Sequence, residues 1–397
     1  MKQQIPSLYR QAFASAAFYC VVLFFAIAPG CTPGHSSKQK NEPEKEAGYS
    51  FEEVEIRYAK GFTVKQYDTY RLIDISDPQH SDDTVYKYAL VPKGTKPSDA
   101  IPPDYTVIQT PVERLICMTT LQLANFIKLD AVHQVVGMPS THYLFNPEVK
   151  EQIAKGRIGK IGIEGNFDAE LILSLDPEII LVSPFKRGGY EAIKDLDIPL
   201  VTFLGYKETT PLGQAEWMKF VAMLLGKEEL GNELFAASEK KYQELEELCR
   251  NVSPKPTVLS GEMRSGNWYV VGGKSYLAEQ FRDAGAEYFL KENQETGGIN
   301  LDFESVYAAG SDADFWRLLV SHTGDYSYTV LRKSDSRYTD FKAYKERNVV
   351  YCNLRQKPFY EKAPVEPEVV LADLIKAFHP ALLPDHQPVY YELLTRE

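Results

Sequence analysis

The sequence has no block rich in lysine and arginine, and acidic residues outnumber basic ones. Its 397 residues include 44 Lys and Arg against 55 Asp and Glu, which gives a formal net charge of −11 at pH 7. A protein that binds the phosphate backbone of a nucleic acid needs a cationic surface, so nucleic acid is excluded as an expected partner. Apolar residues make up 44% and charged residues 25%, which is typical of a globular protein long enough for two lobes.

Signatures of catalysis are also missing. Residues 272–275 (GGKS) suggest a phosphate-binding loop, but Trp268 occupies the position of the first glycine that this motif requires. The chain has no G-x-S-x-G and no H-E-x-x-H pattern. The spacing of Gly159, Gly162 and Gly165 does not fit a dinucleotide-binding turn. The sequence therefore predicts a protein that is not an enzyme and has no cofactor, although fold alone does not fix function.

Cysteine is scarce, with five residues in the chain. Cys20 and Cys31 lie near the N-terminus, and Cys117, Cys249 and Cys352 are far apart in sequence. Their spacing does not match that of a zinc site, so no metal site is predicted from them. The last three could form at most one disulfide, and buried free thiols fit the sequence at least as well.

The chain begins with a targeting segment. Lys2 and Arg10 precede the apolar run AFASAAFYCVVLFFAIA and a Pro-Gly-Cys sequence ending at Cys31. This order is typical of a secretory signal, and its end resembles a bacterial lipobox, whose cysteine is acylated. Residues 1–31 are therefore predicted to be a lipoprotein signal peptide, with a plain signal peptide or an uncleaved anchor as alternatives. The polar residues 32–48 predict a flexible tether.

Strand and helix patterns alternate through the rest of the chain. The segment from residue 49 to about 111 alternates polar and apolar side chains, which predicts a β-rich lead-in. Farther on, short apolar strands separated by helices predict parallel βαβ units. Between two such stretches, a 3.6-residue apolar period predicts one helix of roughly 35 Å, and an exposed helix of a single large domain is the alternative. The predicted limits are 49–226 for the N-terminal lobe with its lead-in, 227–252 for the linker helix and 253–397 for the C-terminal lobe.

Three local patterns occur in the order and spacing of one known family. Residues 167–181 (FDAELILSLDPEIIL) place a glutamate on a helix that leads through proline into a buried strand. Residues 302–307 read DFESVY, and the closing helix 367–378 is followed by His379-Pro380. From about residue 114 to 394, the sequence resembles the substrate-binding lipoproteins of ABC importers for ferric siderophores, haem and cobalamin.

The resemblance implies an α/β fold with two Rossmann-like lobes joined by one long rigid α-helix, here with the β-rich lead-in added. It implies a monomer that binds its ligand between the lobes and delivers it to a permease dimer. The protein would be anchored in the bacterial cell envelope through lipid on Cys31, facing the periplasm or the surface. In the family, one glutamate on each lobe docks with permease arginines, and Glu170 and Glu304 match those positions. Solvated helix residues favoured by the helix dipole are the alternative for both.

Loops that follow the strands are where such a two-lobed protein holds its ligand. Cationic side chains there could pair with carboxylates, hydroxamates or catecholates around a metal, and aromatic ones could pack on a planar ligand. His142 and His322, on opposite lobes, could also reach a metal directly, but a bare-ion site would need more His and carboxylate ligands. The candidate ligand-binding residues are Thr119, Thr120, His142, Tyr143, Lys186, Tyr206, Arg264, Trp268, His322 and Arg355.

The predicted function is capture of an iron chelate, a ferric siderophore or haem, for delivery to the permease. The alternatives, in order, are a cobalamin-binding protein of the same family, a binder of a bare metal ion, a surface lipoprotein that hands a chelate to an outer-membrane receptor, and an extracytoplasmic enzyme. No residue in the sequence identifies the chelate.

Overall fold

The computed structural model describes residues 45–46, 49–80, 84–140, 144–163, 165–184 and 190–395. The predicted signal peptide with Cys31 lies outside these ranges, and so do three candidate ligand-binding residues, His142, Tyr143 and Lys186. Residues 43–397 form one compact unit. Within the described ranges, no helix is both long and apolar enough to cross a bilayer.

The lead-in is a sheet, as the alternating sequence predicts. A short hairpin pairs β1 (Lys45–Glu46) with β2 (Tyr49–Ser50). The main sheet contains β3 (Glu52–Glu53), β4 (Phe62–Gln66), β5 (Arg71–Ser76), β6 (Val85–Pro92) and β7 (Thr106–Thr110). These five strands lie side by side in sequence order, with antiparallel neighbours except for the parallel pair β6 and β7.

The first lobe is built on a parallel sheet whose strands are separated by helices. Its elements are β8 (Leu115–Cys117), α1 (Thr120–Lys128), β9 (Val135–Met138), α2 (Pro147–Ala154), β10 (Gly159–Lys160), β11 (Gly162–Ile163), β12 (Asn166–Phe167), α3 (Ala169–Ser174), β13 (Ile179–Val182), α4 (Glu191–Lys194) and β14 (Leu200–Thr202). The strand order is β10-β9-β8-β13-β14, and every neighbouring pair is parallel. β11 and β12 form a separate hairpin.

Side chains in the local sequence fix where α1 and α3 begin. The Thr119 hydroxyl accepts the N–H of Gln122 at 3.2 Å, and the Gln122 carboxamide accepts the N–H of Thr119 at 3.3 Å. This reciprocal pair is a capping box, and it marks the start of α1. Asp168 caps α3 by accepting the N–H of Leu171 at 2.9 Å.

Two consecutive helices, α5 (Pro211–Leu225) and α6 (Glu228–Cys249), follow the first lobe. α6 has 22 residues, so it is about 33 Å long at a rise of about 1.5 Å per residue. Phe235 packs in a core shared with the first lobe, whereas Tyr242 packs in the core of the second. The predicted long rigid helix between the lobes is therefore confirmed. The limits 49–226, 227–252 and 253–397 stay predictions.

The second lobe repeats the alternation of strands and helices. Its elements are β15 (Thr257–Ser260), β16 (Glu262–Arg264), β17 (Asn267–Val271), α7 (Tyr276–Asp283), β18 (Glu287–Tyr288), β19 (Gly298–Leu301), α8 (Phe303–Gly310), β20 (Phe315–Val320), α9 (Tyr328–Ser334), α10 (Lys342–Lys345), β21 (Val349–Asn353), α11 (Phe359–Lys362), α12 (Pro367–Phe378) and β22 (Glu392–Leu393). The main sheet has the order β18-β15-β20-β21-β22, and only β22 is antiparallel to its neighbour.

A small antiparallel sheet, β16-β17-β19, extends from the carboxyl end of β15. The chain bends between β15 and β16 at Gly261, which has a φ of 89°. A Cβ at this position would lie 2.2 Å from the carbonyl oxygen of Tyr269, so only glycine fits the bend. The small sheet therefore stands beside the strand ends of the second lobe, where a ligand cleft is expected.

The lead-in sheet and the first lobe share one hydrophobic core. Ile73 and Tyr88 of the lead-in are buried in the same cluster as Leu115 and Trp217. The Tyr88 hydroxyl also accepts the backbone N–H of Thr202 in β14 at 2.9 Å. The lead-in is thus an integral layer of the first lobe.

Two buried glutamates attach the segment 57–61 to the first lobe. Glu216 accepts the N–H groups of residues 57, 58 and 59 at 3.1, 2.7 and 2.9 Å. Glu208 accepts the N–H of Gly61 at 2.9 Å and the indole N–H of Trp217 at 2.9 Å. Burial alone would raise the pKa of Glu216, but Lys219 and the backbone donors outweigh it and lower the pKa. At Glu208, the effect of burial is larger than that of the hydrogen-bond donors, so the pKa is raised.

Asp283 should make the stability of the fold depend on pH. Its carboxylate accepts the Tyr242 hydroxyl at 2.6 Å, which joins α6 to the end of α7. Burial raises the pKa of Asp283 from 3.8 to about 6. Since the folded state binds this proton more tightly than the unfolded state, the contribution to stability is lost as pH rises from about 4 to about 6.

We expect the Asp283→Asn variant to avoid this loss of stability at rising pH. Urea unfolding should give the variant a free energy of unfolding higher than wild type by up to about 3 kcal/mol at pH 7.5, with little difference at pH 4. The control, Tyr242→Phe, removes a hydrogen bond to the carboxylate and should destabilise the protein more at pH 7.5 than at pH 4. If the free energy of unfolding changed with pH in the same way in wild type and Asp283→Asn, the raised pKa of Asp283 would be contradicted.

Candidate functional site

A cavity of about 230 Å³ lies between the two lobes, at the carboxyl ends of their parallel strands. On the first-lobe side, the N-terminus of α1 and the loop before α2 border it. On the second-lobe side, the loops after β20 and β21 and the helix α11 border it. The lining residues are Thr120, Phe145, Ser321, Leu354, Lys357, Pro358, Phe359, Tyr360 and Glu361. This cavity occupies the place where the sequence predicts a ligand.

Glu361 closes one side of the cavity by crossing from the second lobe to the first. Its carboxylate accepts the N–H of Phe145 at 2.9 Å and that of Asn146 at 2.9 Å. Burial raises the pKa of Glu361, while the backbone donors partly offset this effect. An ion pair of 3.0 Å between Lys128 and Glu366 joins the lobes nearby. No sequence pattern indicates Glu361, because its acceptor role depends on a segment more than 200 positions away.

Buried amides and a hydroxyl fix the strand-end loops of the first lobe. Gln122 accepts the N–H of Met118 at 2.7 Å and donates to the Ser183 hydroxyl at 2.9 Å. Ser183 in turn donates to the carbonyl oxygen of Phe203 at 3.2 Å. The chain is thereby held at the ends of β8, β13 and β14 together.

Asn353 has the same role in the second lobe. Its carboxamide oxygen accepts the N–H of His322 and of Arg355, each at 3.1 Å, and its NH₂ group donates to the carbonyl of His322 at 2.9 Å. The loops after β20 and β21 are therefore fastened to each other. Sequence reasoning missed Gln122, Ser183 and Asn353, although a glutamine three residues after a capping threonine is a recognisable signal.

The structure brings several predicted residues to this cleft. Thr120 lines the cavity directly. Arg355 is exposed, and its Nε donates to the hydroxyl of the lining residue Ser321 at 3.3 Å. His322 packs edge-on against Tyr326, with ring centroids 5.5 Å apart. Their contact with a ligand stays a prediction.

Other predicted residues contact the protein itself. The Thr119 hydroxyl is occupied by the α1 cap. Tyr206 is half-buried, its hydroxyl donates to the carbonyl of Pro184 at 3.2 Å, and burial raises its pKa. Both lie on strand-end loops of the first lobe, and neither lines the cavity of about 230 Å³.

The structure corrects the prediction that Trp268 binds the ligand. Its side chain is 0% exposed, stacks on Trp316 at 5.6 Å and donates its indole N–H to the carbonyl of Ser260 at 3.0 Å. Successive side chains in a strand point to opposite faces, so the neighbouring Tyr269 is the exposed one, at 39%. The alternation of exposed and buried side chains along Asn267–Val271 distinguishes the buried Trp268 from the exposed Tyr269.

Tyr269 belongs to an aromatic and cationic surface that we call the tyrosine wall: Arg264, Tyr269 and Tyr360. The guanidinium carbon of Arg264 lies 5.2 Å from the ring centroid of Tyr269, and Arg264 also pairs with Glu262 at 3.0 Å. Tyr360 is 40% exposed and lines the cavity. Burial raises the pKa of Tyr360, and the charges of Arg317 and Arg264 offset this effect only in part. Arg264 is thus the cation that lies beside the exposed ring of Tyr269.

Glu170 and Glu304 occupy equivalent positions on the two lobes. Each is exposed and is the second residue after an aspartate that caps its helix, α3 or α8. Asp302 accepts the N–H of Ser305 at 2.7 Å, as Asp168 does for Leu171. The matching geometry presents one carboxylate per lobe, and their docking role stays a prediction.

Neither thiols nor a larger groove provide a second site. In the described part of the chain, Cys117, Cys249 and Cys352 are buried free thiols, which answers the question that the sequence left open. Burial raises the pKa of Cys249 to about 11 and that of Cys352 to about 12.

The described part of the chain contains no group of three His, Cys, Asp or Glu side chains that could hold a metal. A groove of about 630 Å³ between α6 and α12 is not bordered by any strand-end loop.

We expect Glu361→Ala to weaken the contact between the lobes. The N–H groups of Phe145 and Asn146 would lose their acceptor, at roughly 1–3 kcal/mol for each unsatisfied donor. Urea unfolding should show lower stability, and hydrogen exchange should accelerate at the first turn of α2. Glu361→Gln, which keeps one acceptor oxygen, should lose less. The control Glu151→Ala, on the exposed face of α2, should stay within about 0.5 kcal/mol. Unchanged exchange at residues 145–149 in Glu361→Ala would refute the contact.

Comparison with known proteins agrees with this two-lobed arrangement. An uncharacterized lipoprotein of Methanocaldococcus jannaschii is 25% identical over 347 residues, which cover 82% of this chain and 82% of that protein. A periplasmic heme-binding protein from Pseudomonas aeruginosa has a similar structure, with a TM-score of 0.56, 18% identity and coverage of 72% of this chain and 99% of its own. A molybdate periplasmic binding protein of a Haemophilus influenzae ABC transporter gives a TM-score of 0.55 at 19% identity, over 70% of this chain and 89% of its own.

These structural likenesses establish the fold, and the sequence itself establishes the family. Residues 115–355 match the periplasmic binding protein family, which is more than half of the chain. The match includes both parallel sheets except β22 and ends at the strand-end loop after β21. The chain belongs to the family of periplasmic binding proteins.

Proposed function

We propose that this protein captures an anionic iron chelate, a ferric siderophore or haem, between its lobes and delivers it to the permease dimer of an ABC transporter. Binding involves no chemical step. A monomer anchored in the cell envelope through lipid on Cys31 would carry out this task. The relative from Methanocaldococcus jannaschii that is named a lipoprotein supports the anchor.

The observation that carries the proposal is the tyrosine wall beside the inter-lobe cavity. Catecholate siderophores combine oxygen anions with aromatic rings, and haem combines carboxylates with a planar porphyrin. Arg264 offers a guanidinium for the anions, and the exposed rings of Tyr269 and Tyr360 offer flat apolar surface. Arg355 adds a second exposed cation on the loop after β21. The combination of charge and aromatic surface suits such a ligand better than either would alone.

A small oxyanion is the second candidate, because the enclosed cavity is small. Sites for drug-sized ligands usually measure about 300–1,000 Å³, whereas this cavity measures about 230 Å³. A chelate would place only one arm inside and rest the remainder on the tyrosine wall. An oxyanion would fit entirely, with Lys357 as the nearest cation, and one protein of similar structure is a molybdate-binding protein.

Delivery would use Glu170 and Glu304. Two exposed carboxylates, one on each lobe, could register the protein against both halves of a dimeric permease. Because α6 crosses both cores, it limits changes in the distance between the two glutamates. The position of each in a first helical turn makes the local environment favourable to negative charge.

The ligand class can be tested by isothermal titration of residues 43–397 with ferric siderophores, haem, cobalamin, molybdate and bare Fe, Zn and Mn salts. We expect saturable binding of one iron chelate. Arg264→Ala should weaken it by roughly 10- to 100-fold, since a hydrogen bond to a charged group contributes about 1.5–3 kcal/mol. The control Arg250→Ala, an exposed arginine at the end of α6, should bind as wild type does. Binding of molybdate alone would select the second candidate, and binding of a bare metal salt alone would refute both.

The docking role can be tested separately from binding. Glu170→Arg and Glu304→Arg should leave the titrated affinity unchanged and reduce cellular uptake of the bound chelate, because a cation would face the permease arginines. Glu229→Arg, an exposed first-turn glutamate of α6, is the matched control and should transport normally. If both docking variants support wild-type uptake, or if they lose ligand affinity as well, the separate docking role fails.

A further inference from the structure

Residues 77–80, which follow β5, reach the mouth of the cleft from outside the family core. The family match begins at residue 115, whereas these residues belong to the lead-in. A ligand in the cleft can therefore meet residues that lie outside the family core. We call residues 77–80 the lead-in turn.

Two contacts fasten the lead-in turn to the first lobe, and a third stabilises the turn itself. The Lys207 ammonium pairs with the Asp77 carboxylate. The Gln79 carboxamide donates to the carbonyl oxygen of Lys207 at 2.8 Å, and the Gln79 backbone N–H donates to Asp77 at 2.9 Å. Burial works against the charge of Asp77, but these partners outweigh it and hold the pKa of Asp77 below its usual value. Lys207 is thus occupied in holding the turn and is neutralised by it.

The same turn also approaches the second lobe. A Cβ built on Gly297 would lie 3.9 Å from the carboxamide oxygen of Gln79, so the two residues are neighbours. Gly297 directly precedes β19 of the small sheet, and the ring of Tyr269 lies over the next residue, Gly298, with its hydroxyl 2.3 Å from where a Cβ would be. The lead-in turn therefore adjoins the strand that supports the tyrosine wall.

The location of these contacts places the turn at one end of the cleft. Lys207 and Tyr206 follow β14, at the carboxyl end of the first-lobe sheet. Glu361 and Phe145 close the cleft near β9 and β21, on the other side of β8 and β13 in the strand order. The lobes thus approach each other at both ends, with Tyr360 beside Glu361 at one end and Tyr269 over Gly298 at the other.

We propose that the lead-in turn is a third wall of the ligand cleft and that Gln79 and His80 select the ligand through its uncharged polar periphery. The inference rests on the proposed function, since it deepens the recognition of that chelate. The Asp77–Lys207 pair cancels its own charge, so the wall adds hydrogen-bonding groups without net charge. Such a wall suits a siderophore, whose periphery carries amide and hydroxyl groups.

His80 supplies the most accessible of these groups. Its side chain is 69% exposed, and its Nδ1 lies 3.4 Å from a carboxylate oxygen of Asp77. A carboxylate at Nδ1 favours the tautomer that carries the proton there. Nε2 is then an acceptor for a ligand hydroxyl or amide N–H. The Gln79 carboxamide, by contrast, already donates to Lys207 and presents its oxygen toward the second lobe.

The selectivity can be tested by titrating variants of residues 43–397 with the same ligand panel. We expect His80→Ala and Gln79→Ala to weaken binding of a ferric siderophore by roughly 5-fold or more each. Haem, which has no amide or hydroxyl groups at its edge, should be affected less. His133→Ala replaces an exposed histidine at the opposite, amino-terminal end of β9 and should bind as wild type does. Wild-type affinity of both lead-in-turn variants for every ligand that binds would overturn the proposal.

A second measurement tests the wall without any ligand. Gln79→Cys combined with Gly297→Cys should be cross-linked within one chain by a short bismaleimide, whereas the native thiols Cys117, Cys249 and Cys352 are buried and should not react. Gln79→Cys with Arg250→Cys, at the far end of the second lobe, is the control pair. Failure of the first pair to cross-link would overturn the third wall. If wild type binds no panel ligand but the first pair cross-links, the proposed function fails while the wall stands.

Discussion

Buried carboxylates that accept several backbone N–H groups hold together the segments of this chain that no sheet or helix connects. Glu216 and Glu208 bind residues 57–61, Glu361 binds residues 145 and 146, and Asp373 accepts the N–H groups of Val389, Tyr390 and Tyr391 at 3.0, 2.6 and 3.0 Å. Desolvation of a charge is costly unless donors surround it. Each carboxylate therefore makes one arrangement of two distant segments much more favourable than its alternatives, and the lead-in, the inter-lobe contact and the C-terminal tail all depend on such a site.

Buried side chains that hydrogen-bond to the backbone also position the loops of the candidate binding site. Parallel strands place their carboxyl ends at one edge, but the loops beyond them need separate support. Gln122 and Ser183 supply it in the first lobe, and Asn353 supplies it in the second. Because these buried side chains bond to the backbone and to each other, they fix the loops without using the exposed side chains. Arg264, Tyr269 and Arg355 therefore lie on a surface that the interior has already positioned.

Sequence patterns predicted features that depend on neighbours in the chain. α12 begins and ends at the predicted residues 367 and 378, where proline starts the helix and His-Pro follows it. The helix start at Thr119 is equally local. Trp268 was assigned to the cleft because it lies near a strand-end loop, yet strand alternation turns it into the core and exposes Tyr269. Glu361 and the lead-in turn could not be found, since their roles depend on partners brought close only by the fold.

Connections between the lobes limit how the cleft can change. α6 passes through both cores without a break, and Glu361 and the Lys128–Glu366 pair join the lobes near β9 and β21. An opening motion about α6 would have to separate the buried Glu361 carboxylate from its two donors, which is costly. At the opposite end Gln79 lies beside Gly297, but its hydrogen bonds go to Asp77 and Lys207, so opening there leaves them intact. The end closed by the lead-in turn is therefore the easier one to open, and ligand exchange at that end would bring every ligand past Gln79 and His80.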